Sequence, residues 1–221
     1  HPTNGGSVRF LVRNLAVGPG ARISADGGGF FGGLVTHPNG FGPGGGLRGA
    51  NSGGGGGYGG AGGKGGHSDS YPGGAYGSEI LPLSPGSGGG DWRGATTNGS
   101  GGGLIWIEAG NQVTLNGTIT ANGYTPDGYG AGGSGGGIYL KCRKFVGGSS
   151  GSLTANGATG GGESGGGGGG RIAVWSVTRE WSYTNQATAT GGPGSPPALA
   201  GDPGTIYWAN MQPGGSVFTV R

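Results

Sequence analysis

The sequence predicts an all-β protein: a parallel β-solenoid, or β-helix, of about five imperfect units with a long glycine-rich, polyproline-II-like insertion. The main observation is a five-residue motif of an aliphatic residue, a hydroxyl residue, alanine, Asp/Asn/Thr and glycine, which occurs three times, with a weaker fourth copy. Each copy begins fourteen or fifteen residues after an aliphatic residue of a glycine-led apolar run. Self-similarity at such spacing is typical of stacked units. The copies begin at Ile23, Ile119, Leu153 and Ala187, after Val8, Ile105, Ile138 and Ile172.

Glycine accounts for 68 of the 221 residues, against about 7% on average. Collagen is excluded, because glycine does not occupy every third position and there are only 13 prolines. The 12 basic and 9 acidic residues are scattered, and the densest cluster, 141–144, is too short for a nucleic-acid footprint. Low charge with many hydroxyl and amide side chains favours an extracellular or cell-surface protein.

The first unit comprises residues 1–28. Val8–Val12 alternates as a half-buried strand does. A Gly-Pro-Gly turn leads to a second short strand around Ile23, which ends at Asp26-Gly27, where positive φ allows a sharp corner.

Residues 29–100 form the glycine-rich insertion, which also contains seven aromatic residues. A structureless loop of this length is uncommon inside a compact domain. We therefore expect extended, polyproline-II-like glycine segments that lie side by side and exchange backbone hydrogen bonds.

Three further units follow in close order, and a fifth begins at residue 203. We expect 1–221 to be a single domain. Stacking in register would align Val8, Ile105, Ile138, Ile172 and Ile206 on one wall, and Ile23, Ile119, Leu153 and Ala187 on the other. The Asp26, Asn122, Asn156 and Thr190 side chains would then form a hydrogen-bond ladder.

These units, Gly-Gly-Gly-aliphatic-x-aliphatic followed by Leu/Ile-Thr-Ala-Asn-Gly, resemble the glycine-rich repeats of large bacterial secreted and cell-surface proteins of the parallel β-helix type. The similarity covers residues 101–192 well and 5–28 fairly. It implies a β-helical architecture and a surface location, and it carries over no functional residues. By composition alone, the insertion is similar to the glycine-rich polyproline-II sandwiches of phage adhesins and of a snow-flea antifreeze protein.

No catalytic, cofactor or metal site is predicted, and we do not expect an enzyme. His67-Ser68-Asp69 has the residue types of a catalytic triad, but adjacent residues do not converge as a triad requires. Four acidic residues that a polysaccharide-cleaving solenoid would need in pairs occur singly; they are Glu108, Asp127, Glu163 and Glu180.

Three smaller features leave alternatives open. Asn98 and Asn116 lie in N-glycosylation sequons. Cys142 is the only cysteine and is expected to be a buried hydrophobe, the alternative being an intermolecular disulfide. A hydroxyl stack of Ser24, Thr120, Thr154 and Thr188 allows an ice-binding face, although β-propensity explains it more simply. No apolar run is long enough for a membrane span.

The expected function is an extracellular structural protein that assembles head to tail into a fibre or surface layer. The chain opens on Gly5-Gly6-Ser7-Val8 and closes with a near-identical run at 214–217, with no capping helix predicted at either end. The alternative is an adhesin that recognises glycans or surfaces through a solvent-facing cluster of Tyr58, Tyr71 and Trp92.

Overall fold

The computed structural model describes residues 4–92, 99–181 and 186–212. In these ranges the chain forms nine β-strands and no α-helix, and all named strand pairs are parallel. The prediction of an all-β protein with parallel strands is confirmed. No helix in the described ranges is long and apolar enough to cross a membrane. The strands are β1 (Ser7–Val17), β2 (Arg22–Ser24), β3 (Leu104–Leu115), β4 (Thr118–Thr120), β5 (Gly137–Gly147), β6 (Ser152–Thr154), β7 (Arg171–Glu180), β8 (Ala187–Thr188) and β9 (Thr205–Asn210).

Odd- and even-numbered strands form two separate sheets. The large sheet has the order β1-β3-β5-β7-β9, and the small sheet has the order β2-β4-β6-β8. The chain therefore visits the large sheet, then the small sheet, then a glycine-rich segment, and returns one strand further along. The insertion occupies the first of these returns.

The predicted stacking of the repeated motifs is confirmed. In the small sheet Ile23 pairs with Ile119, Ile119 with Leu153, and Leu153 with Ala187. In the large sheet the five predicted residues also pair in register, from Val8 to Ile206. The central residues of both stacks belong to one apolar core between the sheets, in which Ile105, Ile138 and Ile172 are fully buried, whereas Val8 and Ile206 lie outside it.

The strands of the large sheet are longer than the sequence analysis predicted. β1 was expected to end at Val12 and continues to Val17. The register shifts after Val12, and pairing resumes with Asn14 opposite Gln112. The alternation of inward- and outward-facing residues is interrupted at this irregularity, so the two-residue period does not predict the second half of the strand.

The predicted polar ladder is present at the corner after the small sheet. The side-chain oxygen of Asp26 accepts the backbone N–H of Asn122 at 2.7 Å. Asn122 and Asn156 accept the backbone N–H groups of Asn156 and Thr190 in the same way, each at 2.9 Å. Each side chain therefore satisfies a backbone donor of the next repeat and fixes the register where the short strands end.

Beyond this corner the glycine-rich segments are hydrogen-bonded to one another, and we call them together the glycine bundle (28–33, 40–47, 53–66, 70–76, 86–91, 99–103, 122–136, 156–170 and 189–204). Segment 164–170 is at its centre and exchanges backbone hydrogen bonds with six other segments. The insertion and the later connectors thus share one hydrogen-bonded body. The six partners are 53–57, 59–66, 130–136, 155–158, 189–195 and 198–205.

Many of these bonds repeat at every third residue. In a β-ladder they would repeat at every second residue. The repeat occurs in both partners of a pair, so the two chains advance together. Examples, with the donor first, are Gly165 to Gly53 and Gly168 to Gly56, Gly132 to Gly165 and Gly135 to Gly168, and Gly166 to Leu199 and Gly169 to Asp202.

Close approach, rather than unusual dihedral angles, is what requires glycine in the bundle. Among the described glycines a positive φ occurs at seven positions, and none of them lies in segment 164–170. A methyl group at any position from 165 to 170 would instead overlap a neighbouring backbone carbonyl. Residues with a Cβ cannot be accommodated there without separating the segments.

The adjacent glycines Gly73 and Gly74 test this account. A methyl group on Gly73 would overlap the carbonyl oxygen of Gly44, whereas one on Gly74 would meet no atom within 4 Å. We expect Gly73→Ala to lower the free energy of unfolding by about 1–3 kcal/mol through overpacking. Gly74→Ala should leave it unchanged or raise it by up to about 1 kcal/mol, because alanine restricts the unfolded chain. Urea unfolding followed by circular dichroism measures both, and equal effects would contradict the packing account.

Candidate functional site

The structure does not assemble the predicted aromatic cluster of Tyr58, Tyr71 and Trp92. Tyr58 is completely buried, so the prediction that it faces solvent is wrong. Tyr71 is 56% exposed and lies beside Lys64. Trp92 packs edge-on against Tyr129, with ring centroids 5.2 Å apart. These three aromatic residues therefore lie in separate parts of the structure.

Tyr58 belongs to a buried cluster that joins the glycine bundle to the large sheet. Its ring lies 4.8 Å from that of Tyr76 and 5.7 Å from the guanidinium carbon of Arg171. Arg171, the first residue of β7, donates from Nε to the carbonyl of Tyr76 and from Nη1 to Thr205 at the start of β9. Burial raises the pKa of Tyr58 to about 12, and it raises the pKa of Tyr76 as well. The two phenols therefore stay neutral, and the cluster has a structural role in connecting the glycine bundle to the large sheet.

The most site-like feature is an open groove at the margin of the glycine bundle, with a volume of about 460 Å³. It combines an aromatic pair with a short run of polar side chains. His67 Nε2 lies 3.0 Å from Glu163 Oε2 on one side, and Tyr129 is 44% exposed. The lining residues are Asn51, His67, Trp92, Tyr129, Gly162, Glu163 and Ser195.

Buried backbone and hydroxyl contacts hold this groove in shape. The Ser164 hydroxyl donates to the carbonyl of Tyr129 at 2.9 Å and accepts the N–H of Gly53 at the same distance. The carbonyl of Glu163 accepts the N–H of Gly66 at 2.8 Å. Three chain segments that are remote in sequence are thus fixed around the groove, and Ser164 itself is fully buried.

The backbone of Glu163 has a φ of 59°, and Glu163 is the only non-glycine residue with a positive φ in the described ranges. This left-handed conformation costs an L-residue about 1–2 kcal/mol. Such strain is found preferentially at functional sites.

The tripeptide His67-Ser68-Asp69 does not converge. His67 faces Glu163, whereas the Asp69 carboxylate accepts the backbone N–H of Ala50 at 2.8 Å. The scattered carboxylates have separate partners as well: Glu108 lies 3.2 Å from Arg9, and Glu180 lies 2.6 Å from Lys144. Asp127 is exposed in the connector after β4. The described residues contain no group of three or more His, Cys, Asp or Glu side chains suited to a metal ion.

Two of the smaller features are placed by the structure. Asn116 is half-buried in the turn between β3 and β4, and Asn98 lies outside the described residues. Cys142 is 2% exposed within the core, and burial raises the pKa of its thiol to about 12. The prediction of a buried cysteine is confirmed, and such a thiol is poorly placed for an intermolecular disulfide.

The hydroxyl stack is not a flat, free array. Thr120 is 7% exposed, because the Arg22 guanidinium covers it and donates to its Oγ1 at 2.9 and 3.1 Å. Thr120 in turn donates to Asp26 at 3.0 Å. These contacts compete with an ordered ice-like layer at the first two repeats.

Comparison with known proteins gives no guidance about the chemistry of this chain: no protein-family model, no curated protein and no solved structure matches it. The groove is therefore interpreted from its own residues. Among these, His67, Glu163 and Trp92 are conspicuous in the sequence, each for a different reason, whereas nothing in the sequence distinguishes Asn51, Tyr129 and Ser195. No repeat relates these residues, so only the folded bundle brings them together.

The buried tyrosines predict how the fold responds to alkali. Because folding raises the pKa of Tyr58 from about 10 to about 12, the neutral phenol contributes stability that is complete below pH 10 and is lost as the pH rises through 12. Absorbance at 295 nm should show at least two of the eight tyrosines ionising late and together with loss of the circular dichroism signal. Tyr58→Phe should shift this transition to higher pH. Ionisation of all eight in one step near pH 10 with the fold intact would contradict the burial.

Proposed function

We propose that the two sheets and the glycine bundle form one parallel β-solenoid domain of about five imperfect units, with the bundle segments in polyproline-II conformation. The alternation of the chain between two parallel sheets supports the solenoid. The three-residue hydrogen-bond repeat supports polyproline II, which has three residues per turn. Such a body is consistent with the resemblance to glycine-rich repeats of bacterial surface proteins.

We infer that the protein is an extracellular or cell-surface structural subunit, without catalysis, that assembles head to tail into a fibre or layer. One observation carries this proposal: within the described ranges, the apolar stack of the large sheet is unfinished at both ends. Val8 and Ile206 are 37% and 39% exposed, whereas the three residues between them are fully buried. A second copy placed in register would complete the stack.

The edges of the large sheet favour the same arrangement. β1 and β9 are its terminal strands within the described residues, so each offers a free row of backbone donors and acceptors to another chain. If β9 of one copy paired with β1 of the next in the same register, Ile206 would cover Val8 and Trp208 would cover Phe10. Val8 and Ile206 are already more than half buried, so covering each of them would contribute only part of the about 1.5–3 kcal/mol that complete burial of an exposed apolar side chain provides.

The charge of Arg9 on β1 does not protect the end of the core. The guanidinium of Arg9 lies 4.2 Å from the centre of the Trp106 ring and pairs with Glu108 on the outer face of the sheet. Phe10 and Val12, which point inwards, are only partly covered. Natural edge strands that avoid pairing usually carry inward-pointing charges or proline. The contact is heterologous and does not close, so repetition gives a filament.

The alternative proposal, an adhesin that recognises glycans or surfaces, loses its predicted cluster because Tyr58 is buried. It retains the groove beside Tyr129 as a different possible contact surface. A structural subunit and a carbohydrate contact are compatible on one chain, because the groove includes no residue of β1 or β9.

Disulfide trapping tests the assembly directly. In the proposed contact the Cα atoms of residues 8 and 206 of neighbouring copies lie about 4.8 Å apart, within the range that a disulfide spans. A Val8→Cys/Ile206→Cys double variant should give a ladder of covalent oligomers on a non-reducing gel after mild oxidation. The native Cys142 is buried and should not contribute.

The matched control replaces Val8 by Val35, another exposed valine that lies outside the strands of both sheets. Val35→Cys/Ile206→Cys should form no ladder under the same conditions. Sedimentation of the unmodified protein should also show concentration-dependent oligomers. A stable monomer at high concentration, or equal cross-linking of both double variants, would contradict head-to-tail assembly.

A further inference from the structure

The groove beside Trp92 and Tyr129 contains a residue with a strained backbone, Glu163. Glu163 follows three consecutive glycines and is separated by one serine from a run of six more. Its backbone nevertheless adopts the left-handed conformation that glycine adopts without penalty. A glycine at 163 would suit the local backbone better, so the carboxylate requires a reason of its own.

Structural roles do not supply that reason. The backbone contact of Glu163, the bond that its carbonyl accepts from Gly66, would survive replacement by glycine. Among the residues that the structure describes, its side chain pairs with His67 alone, and the Glu163 and His67 side chains are substantially exposed, at 52% and 38% respectively. Exposed pairs of this kind contribute little to stability.

The neighbouring side chains form a set suited to a sugar. Pyranose rings present an apolar C–H face that packs on aromatic rings, and equatorial hydroxyl groups that form hydrogen bonds. Tyr129 and Trp92 supply aromatic surface, and Glu163, His67 and Asn51 supply acceptors and donors. A concave site with a few convergent polar groups is the usual form of a small-ligand site.

The charge of the groove further restricts the class of sugar that it can bind. Among the described residues, its lining contains one carboxylate and one imidazole but no lysine or arginine. Uronic acids, sialic acids and sulfated sugars would meet the carboxylate without a fixed cation to offset it. We propose that this groove is a binding site for a neutral oligosaccharide, with Tyr129 as the stacking platform and Glu163 as the main hydroxyl acceptor.

This site is independent of the assembly proposed above. None of its lining residues belongs to a terminal strand of either sheet. The protein can therefore be assayed in whatever oligomeric state it adopts, and a failure of sugar binding is distinguishable from a failure of head-to-tail pairing.

Titration calorimetry of the full chain tests the proposal with two neutral probes, the hexamers of β-1,4-linked glucose and of β-1,4-linked N-acetylglucosamine, and one anionic probe, polygalacturonate. We expect saturable binding of at least one neutral hexamer, with a dissociation constant of about 0.1–1 mM, typical of a shallow site. Polygalacturonate should bind at least tenfold more weakly. No binding of either hexamer at 10 mM, or stronger binding of polygalacturonate, would overturn the proposal.

Three variants separate recognition from folding. Tyr129→Ala should weaken binding at least tenfold, and Tyr71→Ala, which removes another exposed tyrosine outside the groove, should leave it unchanged. Glu163→Gly should weaken binding at least tenfold while the melting temperature stays the same or rises, because the strained φ is relieved. A Glu163→Gly protein that melts lower and binds normally would identify Glu163 as structural, and an equal loss in Tyr71→Ala would place the site elsewhere.

Discussion

The architecture depends on the distance to which two peptide backbones can approach when no side chain separates them. In the glycine bundle this distance is set by the N–H···O=C bonds that join neighbouring segments. Segment 164–170 has six hydrogen-bonded neighbours. A Cβ at any position from 165 to 170 would overlap a carbonyl oxygen. Fixing the backbone of one residue costs about 1–2 kcal/mol in conformational entropy, and glycine loses more backbone freedom than any other residue. The dense bonding and packing of the bundle must offset this cost, because glycine contributes no side-chain burial.

The apolar core and the glycine bundle stabilise one another. The stacks of isoleucine and leucine bring successive repeats into register, and the Asp26, Asn122 and Asn156 side chains carry that register around the corner. The glycine segments then begin already aligned, which lowers the entropy lost when they pair. The bundle in turn returns the chain to the large sheet one strand further along. The Arg171 contacts with the Tyr76 carbonyl and with Thr205 join the two regions.

The parts of this fold that the sequence predicted are those in which side chains carry the register. A one-residue slip would place Ile119 or Leu153 on the wrong face, so their pairing follows from the repeated motif. The glycine bundle has no such information: glycine predominates in its segments, and the partner of Gly168 cannot be deduced from neighbours that are also glycine. Tyr58 illustrates the same difficulty, because a tyrosine in a glycine-rich segment reads as exposed until the cluster with Tyr76 and Arg171 is known. The groove was partly predictable by residue type but not by position, since Asn51, Tyr129 and Ser195 meet only through bonds of the bundle.

Amide hydrogen exchange within segment 164–170 tests the central claim most directly. If these glycines are held by bonds to six neighbours, their amides should exchange as slowly as those of β5, and they should open together in one cooperative unit. Uniform protection of β5 and 164–170 is the predicted result. Rapid exchange of 164–170 at the rate of an unstructured peptide, with β5 still protected, would show that the glycine segments are loops on an independently stable sheet and would contradict the account.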